Sequence, residues 1–142
     1  MNEQLKLDNQ FCFRLYNASK EVIRKYKPIL DEYHLTYTQY LTMLVLWEDE
    51  KLTVKQMGKR LNLDSGTLTP LIKKLEAMSL VTKYRDVADE RVVFVELTEA
   101  GRQLQMQMID VPQKAFCSIG IKKEDVMTLK TELDKLLSIL NE

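Results

Sequence analysis

The sequence predicts a mainly α-helical fold with one small β-hairpin, and three observations predict it. Glycine and proline are scarce, four and three among 142 residues, so few breakers interrupt long coiled stretches. Apolar residues recur at three- and four-residue steps over most of the chain. Only within residues 81–97 does that period give way to alternation rich in β-branched and aromatic residues. Hydrophobic residues make up 45% and charged residues 30%, a balance that supports a packed core and excludes disorder. The length fits one compact domain with helical extensions.

The first helix is expected over residues 9–27, where Phe11, Leu15, Ala18, Val22 and Tyr26 share a stripe that Phe13, Tyr16 and Ile23 widen. So broad an apolar perimeter needs a cover, and a second subunit would supply one. Pro28 is expected to kink or end this helix. A second helix fits 37–49, capped by Thr36 with Gln39 at the reciprocal position, and with Leu41, Leu44, Val45 and Trp47 on its core face. A short third helix covers Thr53 to Leu61, with Val54, Met57 and Leu61 on one side. After the tight Asn62-Leu63 connection, Asp64 caps a fourth helix running to about Met78, with Leu68, Leu71, Ile72 and Leu75 inward. Val81–Arg85 and Arg91–Leu97 read as paired strands around a polar tip at 86–90. Thr98 caps a fifth helix through Leu104, Met108 and Val111. Pro112 and Gly120 bracket a connecting segment that holds Cys117, and a last helix covers roughly 122–140.

Net charge is zero, with 21 basic and 21 acidic residues, but its distribution is uneven. Residues 51–91 hold nine Lys or Arg against five Asp or Glu, leaving +4 there and −4 elsewhere. A basic block between acidic helices suits a nucleic-acid-reading module beside a separate assembly region. No apolar run is long enough to cross a bilayer, and MNEQLKLDNQ carries charges of both signs without an apolar signal core. A cytoplasmic protein without membrane association is expected. The two cysteines form no CxxC pair and the single histidine is His34, short of the four or so ligands of structural zinc. Neither a metal nor a cofactor is expected. With no separate catalytic base or cofactor motif in view, a thiol peroxidase is disfavoured and the chain is expected not to be an enzyme.

Short helix, tight turn, second helix, then hairpin is the order of a winged helix-turn-helix. The fourth helix begins with Ser65, Gly66, Thr67 and Thr69, small or hydroxyl-bearing residues that let a helix end approach phosphates and base edges. Pro70 falls early in the helix, and Lys73 and Lys74 follow one turn on, within reach of a phosphate backbone. On the hairpin, Arg85 and Arg91 add positive charge, and Asp89 is spaced to orient Arg91 toward a minor groove. In isolation the same Asp-x-Arg spacing is a solvated ion pair worth less than about 1 kcal/mol.

The stretch Leu63-Asp-Ser-Gly-Thr-Leu-Thr-Pro-Leu-Ile-Lys-Lys-Leu-Glu76, followed by Asp89-Glu-Arg91 and Leu97-Thr98, resembles the MarR family of bacterial regulators over nearly the whole chain. The resemblance implies a single domain over 1–142. Residues 1–35 and 99–142 would interlock two subunits of a homodimer, and 36–98 would form the winged helix-turn-helix. It further implies a double-stranded, pseudo-palindromic DNA operator, with recognition helices in successive major grooves and wings over flanking minor grooves, in the service of repression.

From the residues alone Cys12 reads two ways. It can be a small buried hydrophobe, or a thiol whose thiolate nearby phenols stabilise toward peroxide, with apolar neighbours favouring an organic one. The segment 11–47, with Phe-Cys-Phe-x-Leu-Tyr and Leu-Thr-Tyr-x-Gln-Tyr-Leu, resembles the organic-hydroperoxide-resistance regulators (OhrR) within MarR. That resemblance implies that Cys12 senses an organic hydroperoxide inducer, that Tyr26 and Tyr37 of the other subunit hydrogen-bond it, and that Tyr16 stands close by. Thr38 departs from the pattern, which has proline there, and should alter the helix start more than the chemistry. Cys117, 117 − 12 = 105 residues on, resembles the resolving cysteine of the two-cysteine type, in which oxidised Cys12 joins Cys117 of the partner chain. The alternative is a spectator Cys117, with a small-molecule thiol completing the reaction. Two other regulators fit the same residues: one with a broader redox or virulence role, and one released by a non-covalent aromatic ligand between subunits.

Overall fold

The structure, a computed structural model, describes residues 2–142. Two short 3-10 turns, Glu3–Leu5 and Leu7–Asn9, lead into α1 (Phe11–Asp31), α2 (Tyr37–Asp49), β1 (Lys51–Thr53), α3 (Val54–Leu61), α4 (Ser65–Ala77), β2 (Val81–Arg85), β3 (Val93–Leu97), α5 (Glu99–Gln107), α6 (Val111–Ile119) and α7 (Lys123–Leu140). The result is the mainly α, winged helix-turn-helix architecture that the sequence predicts.

Local side chains set the helix starts. Gln39 donates its backbone N–H to Thr36 Oγ1 (3.3 Å), and Gln39 Oε1 accepts the Thr36 N–H (2.9 Å). Thr53 and Gln56 repeat the reciprocal pair for α3 (3.0 and 2.9 Å). Asp64 Oδ1 accepts the Thr67 N–H (2.8 Å) at α4, and Thr98 Oγ1 accepts the Gly101 N–H (3.0 Å) at α5. Asn62 ends α3 in the left-handed region, a conformation its short polar side chain tolerates, and so turns the chain toward α4. The core joins Leu30 and Leu35 to Tyr40, Met43 and Leu46 of α2, Met57 of α3, Leu68, Ile72 and Leu75 of α4, Val81 and Val95 of the sheet, and Met108 and Val111. Thus α4 sits where its four apolar residues are buried, as expected.

The structure departs from the sequence reading in five places. Pro28 lies inside α1, which continues to Asp31, so it does not end the helix. The wing is a three-stranded antiparallel sheet ordered β1-β3-β2, because Lys51–Thr53 pairs with Phe94–Glu96. Its strand β3 starts at Val93, leaving Arg91 and Val92 in the turn. In α2 the buried residues include Gln39, Tyr40, Thr42, Met43 and Leu46 as well as Val45, whereas Leu44 is exposed and Leu41 and Trp47 are half-buried. Finally, α5 stops at Gln107, and the segment between Pro112 and Gly120 is a helix, α6, with Cys117 on it. Pro112 sits in its first turn, where a missing N–H costs nothing, and Gly120 closes it at φ 77°.

One long helix packs only weakly inside its own chain: α7 buries no side chain fully, and only Val126, Leu133 and Leu136 are half-buried. The first half of α1 is equally bare, with Phe11 69% exposed. No helix among the described residues is long and apolar enough to cross a membrane.

Helix α5 meets the rest at Gly101, which is buried, whose carbonyl accepts the Trp47 indole N–H (2.9 Å), and where a β-carbon would strike the Leu80 carbonyl oxygen and the Leu97 side chain. Gly101→Ala is therefore expected to lower stability by about 1–3 kcal/mol through overpacking, read as a lower urea midpoint at unchanged slope. A midpoint equal to the native one would show that the α5–sheet contact yields freely.

Candidate nucleic-acid interface and thiol site

Packing α3 and α4 against the wing leaves a groove of about 920 Å³ lined by Ser65 and Thr69 of α4, by Lys55, Gln56 and Lys59 of α3, and by Lys83, Arg85 and Arg91 of the wing. Five cations line it and no carboxylate does. A polyanion is the ligand such a surface attracts. The sequence reading placed Ser65, Thr69, Arg85 and Arg91 here and missed Lys55, Lys59 and Lys83. The four-residue spacing of Lys55 and Lys59 on one face of α3, and the strand alternation for Lys83, were the available signals. Gly66, Thr67, Pro70, Lys73 and Lys74 are exposed on α4 but do not line the groove.

The hairpin tip is locally ordered by hydrogen bonds. Asp89 Oδ1 accepts both the Arg91 backbone N–H (3.0 Å) and Nε–H (3.1 Å), and Oδ2 accepts Nη2–H (3.3 Å). The Arg91 side chain, 91% exposed, is thus aimed without being covered. The guanidinium and then the backbone N–H of Arg91 hold the Asp89 carboxyl below its ordinary range. Arg85 Nη1 donates to the Glu90 carbonyl (2.7 Å). At the start of α4 the backbone amide and the hydroxyl of Thr67 hold the Asp64 carboxyl low in the same way, which keeps the cap ionised.

The thiols lie elsewhere. Cys12, in the first turn of α1, and Cys117, on α6, are both free and exposed. Gln113 Nε2 donates to Cys117 Sγ at 3.5 Å. Tyr16 stands one turn from Cys12, with Lys20 Nζ 5.0 Å over its ring. Tyr26 and Tyr37 meet with ring centroids 4.9 Å apart, and Tyr40 joins them at 5.9 and 6.4 Å. Burial pushes all three phenols up, Tyr40 to about 12, with mutual repulsion of the phenolates adding to Tyr37 and Tyr40. They are neutral hydrogen-bond donors at neutral pH. Tyr40 was not singled out from sequence.

Within one chain these groups do not converge. Cys12 and Tyr26 lie 26 − 12 = 14 residues apart on a continuous helix, about 21 Å at 1.5 Å per residue. Cys117 is remote from Cys12 as well. Helix α6 docks at the far end of α1, where Lys114 feels Glu32 and Tyr33, and where Tyr33 Oη donates to the Gln107 carbonyl (3.0 Å). A disulfide requires Cα atoms within about 7 Å, so Cys12 and Cys117 of one chain cannot form one.

A helix-turn-helix with a cation-lined groove and an adjoining wing defines a winged-helix, DNA-binding transcriptional regulator. The description of the SarA/Rot transcriptional regulators matches residues 24–108. The chain is 46% identical to the organic hydroperoxide resistance transcriptional regulator of Bacillus subtilis, over 99% of this chain and 95% of that one. It is 42% identical to the HTH-type regulator SarZ of Staphylococcus epidermidis, over 96% and 92% of the two chains. Among solved structures, reduced AbfR bound to DNA superposes with a TM-score of 0.80 at 34% identity, over 99% of this chain and 98% of that one. Disulfide-formed AbfR superposes with 0.65 at the same identity, over 95% of each chain. The chain belongs to the MarR family of transcriptional regulators, in its organic hydroperoxide resistance group.

Two outcomes follow from this geometry. Lys59→Ala should weaken binding to any duplex and lower the slope of log affinity against log salt by about 1, measured by fluorescence anisotropy, whereas Lys130→Ala on α7 should change neither. An unchanged slope for Lys59→Ala would remove it from the phosphate footprint. The raised phenols also fix a pH dependence. The folded state holds these protons more tightly than the unfolded one, so their contribution is complete below pH 10 and is lost as pH climbs toward about 12. Tyr40→Phe should flatten the fall in urea midpoint across that window.

Proposed function

We propose that the protein is a homodimeric, cytoplasmic repressor that leaves a pseudo-palindromic operator when an organic hydroperoxide oxidises Cys12. The observation that carries the reading is the in-chain separation of Cys12 from both the Tyr26–Tyr37 pair and Cys117. If these groups react together, they do so across a subunit boundary. The bare apolar faces supply that boundary: Phe11, Tyr16 and Ile23 on α1, and Met127, Leu129, Leu137 and Leu140 on α7. An 18-residue helix with no buried side chain needs tertiary cover to stay folded, and a second copy provides it. Residues 1–35 and 99–142 then form the assembly region, and 36–98 the DNA-binding unit.

In the dimer, neutral phenols of Tyr26 and Tyr37 from one subunit donate to the Cys12 thiolate of the other, with Tyr16 beside it. The thiolate attacks the terminal oxygen of ROOH. An S–O bond forms, the O–O bond breaks, and the alkoxide leaves as ROH after taking a proton, so that sulfur is oxidised and peroxide reduced. The partner's Cys117 sulfur then attacks the sulfenic acid, an S–S bond forms and water departs. Apolar Phe11 and Phe13 beside Cys12 favour an organic peroxide over a small polar one.

The reduced dimer grips DNA through Ser65, Gly66, Thr67, Thr69 and Pro70 at base edges, through Lys73, Lys74 and Arg85 at phosphates, and through Arg91, oriented by Asp89, in the minor groove. The new disulfide pulls α1 of one subunit toward α6 of the other and spoils a half-site spacing fixed at about 34 Å. In support, the shape of this chain lies nearer to reduced, DNA-bound AbfR than to its disulfide form, 0.80 against 0.65. Overoxidised AbfR was also solved bound to DNA, which points to the disulfide rather than thiol oxidation alone as the release step.

A second reading has its own observation. A concavity of about 550 Å³ between α1 and α2 is lined by Ile23, Leu30, Leu35 and Tyr37 and by Lys20, Arg24 and Lys27, with Asp31, which Lys27 engages at 3.0 Å, as its one carboxylate, a lining with a net positive charge suited to an aromatic anion. That inducer would act on thiol-blocked protein, whereas the peroxide mechanism would not.

The deciding experiment treats native, Cys12→Ser and Cys117→Ser proteins with cumene hydroperoxide and follows gel shift and nonreducing electrophoresis together. Native protein should release DNA and run as a linked dimer. Cys12→Ser should keep its DNA and stay unlinked, and Cys117→Ser should form no link. Release of DNA by oxidised Cys12→Ser would contradict the mechanism.

A further inference from the structure

We infer that Thr69 reads thymine through its methyl group and is a specificity-determining residue of this regulator. The inference rests on the assignment of the α3–α4–wing groove to duplex DNA. Base pairs are told apart in the major groove by their donor and acceptor patterns and by the thymine C5-methyl group. Donor and acceptor readout is commonly bidentate, through Arg, Asn or Gln. The start of α4 carries none of these and no Lys, and the amide and guanidinium groups around it are already engaged in part. The amide oxygen of Gln56 is held by the Thr53 N–H, Arg91 is forked onto Asp89, and Arg85 is tied to the Glu90 carbonyl (2.7 Å). Over its first two turns α4 exposes no amide or guanidinium.

Thr69 lines the groove, exposed, with its hydroxyl turned back on its own helix to donate to the Ser65 carbonyl at 2.8 Å. Its hydroxyl hydrogen is therefore committed, so to a base it offers its γ-methyl and no donor. The exposed Pro70 ring beside it extends the apolar surface. A methyl group set against a thymine methyl excludes water from both. Against cytosine the same methyl would cover an N4 amino donor and leave it without a partner. The five cations of the groove hold the duplex in register chiefly through its phosphates, and this contact adds discrimination for thymine.

The test uses the full-length reduced protein and the duplex it enriches from a random library, resynthesised with deoxyuridine in place of thymidine one position at a time. The native protein should lose about fourfold in affinity at one or two positions per half-site, the value of one buried methyl group. Thr69→Ser should bind the thymidine and deoxyuridine duplexes equally at those positions, and Thr69→Val, which keeps the methyl, should restore the difference. Equal binding of every substituted duplex by native protein would overturn the inference while leaving the groove as the DNA site. Full thymine sensitivity in Thr69→Ser would overturn it by assigning the readout to another residue. Failure to enrich any duplex would overturn the groove assignment and the inference together.

Discussion

From Cys12 to Asp31 the chain is one unbroken helix of 20 residues, about 28 Å from end to end, and this stiff rod is the constraint on which the account depends. A flexible segment could fold back and bring a thiol to its own phenols or to its own second thiol. A helix cannot. Its rigidity puts the Cys12 sulfur at one end and the anchoring core contacts, Ile29 and Leu30, at the other. Under the proposed mechanism, oxidation of Cys12 would report on how two chains are placed, the quantity that reading a two-half operator requires.

The far end of α1 is coupled tightly to the reading head. Leu30 and Leu35 enter the same core as Tyr40, Met43 and Leu46, and that core continues without a break through Met57 to Leu68, Ile72 and Leu75 of α4. Polar links reinforce the joint on the α5 side. The Trp47 indole bonds the Gly101 carbonyl, and Arg102 Nε donates to Glu50 (2.8 Å), the residue that turns the chain from α2 into β1 at φ 59°. Close packing of this kind transmits a rigid-body shift rather than absorbing it. The tyrosine cluster sits within it, so Tyr26, Tyr37 and Tyr40 are part of that packing.

Much of this was legible in the sequence wherever one local interaction decides the outcome. The Thr36–Gln39 cap, the Asp64 cap, the α4 core stripe and the Asp89–Arg91 fork all follow from spacing of a few residues. What was not legible depends on distant partners. Strand β1 is three residues long and exists because β3 lies beside it. Lys55, Lys59 and Lys83 become one surface only after α3 packs near the wing. The apolar content of α2 surrounds the helix, so its pattern could not say that Met43 and Leu46 face inward while Leu44 does not. Pro112 and Gly120 were read as breakers of a loop, although the same residue types also open and close a short helix.

The separation along α1 turns into a single decisive question, whether the proposed bond between Cys12 and Cys117 forms and joins two chains. Subunits grown in ¹⁴N and ¹⁵N media, mixed in equal amounts under denaturing conditions, refolded, oxidised with an organic hydroperoxide and digested, answer it by mass spectrometry of the linked peptide. The account predicts that roughly half of the Cys12–Cys117 peptide pairs carry one light and one heavy arm, as random pairing of distinct chains requires. Linked peptides found only as wholly light and wholly heavy species would place both sulfurs in one chain and contradict it.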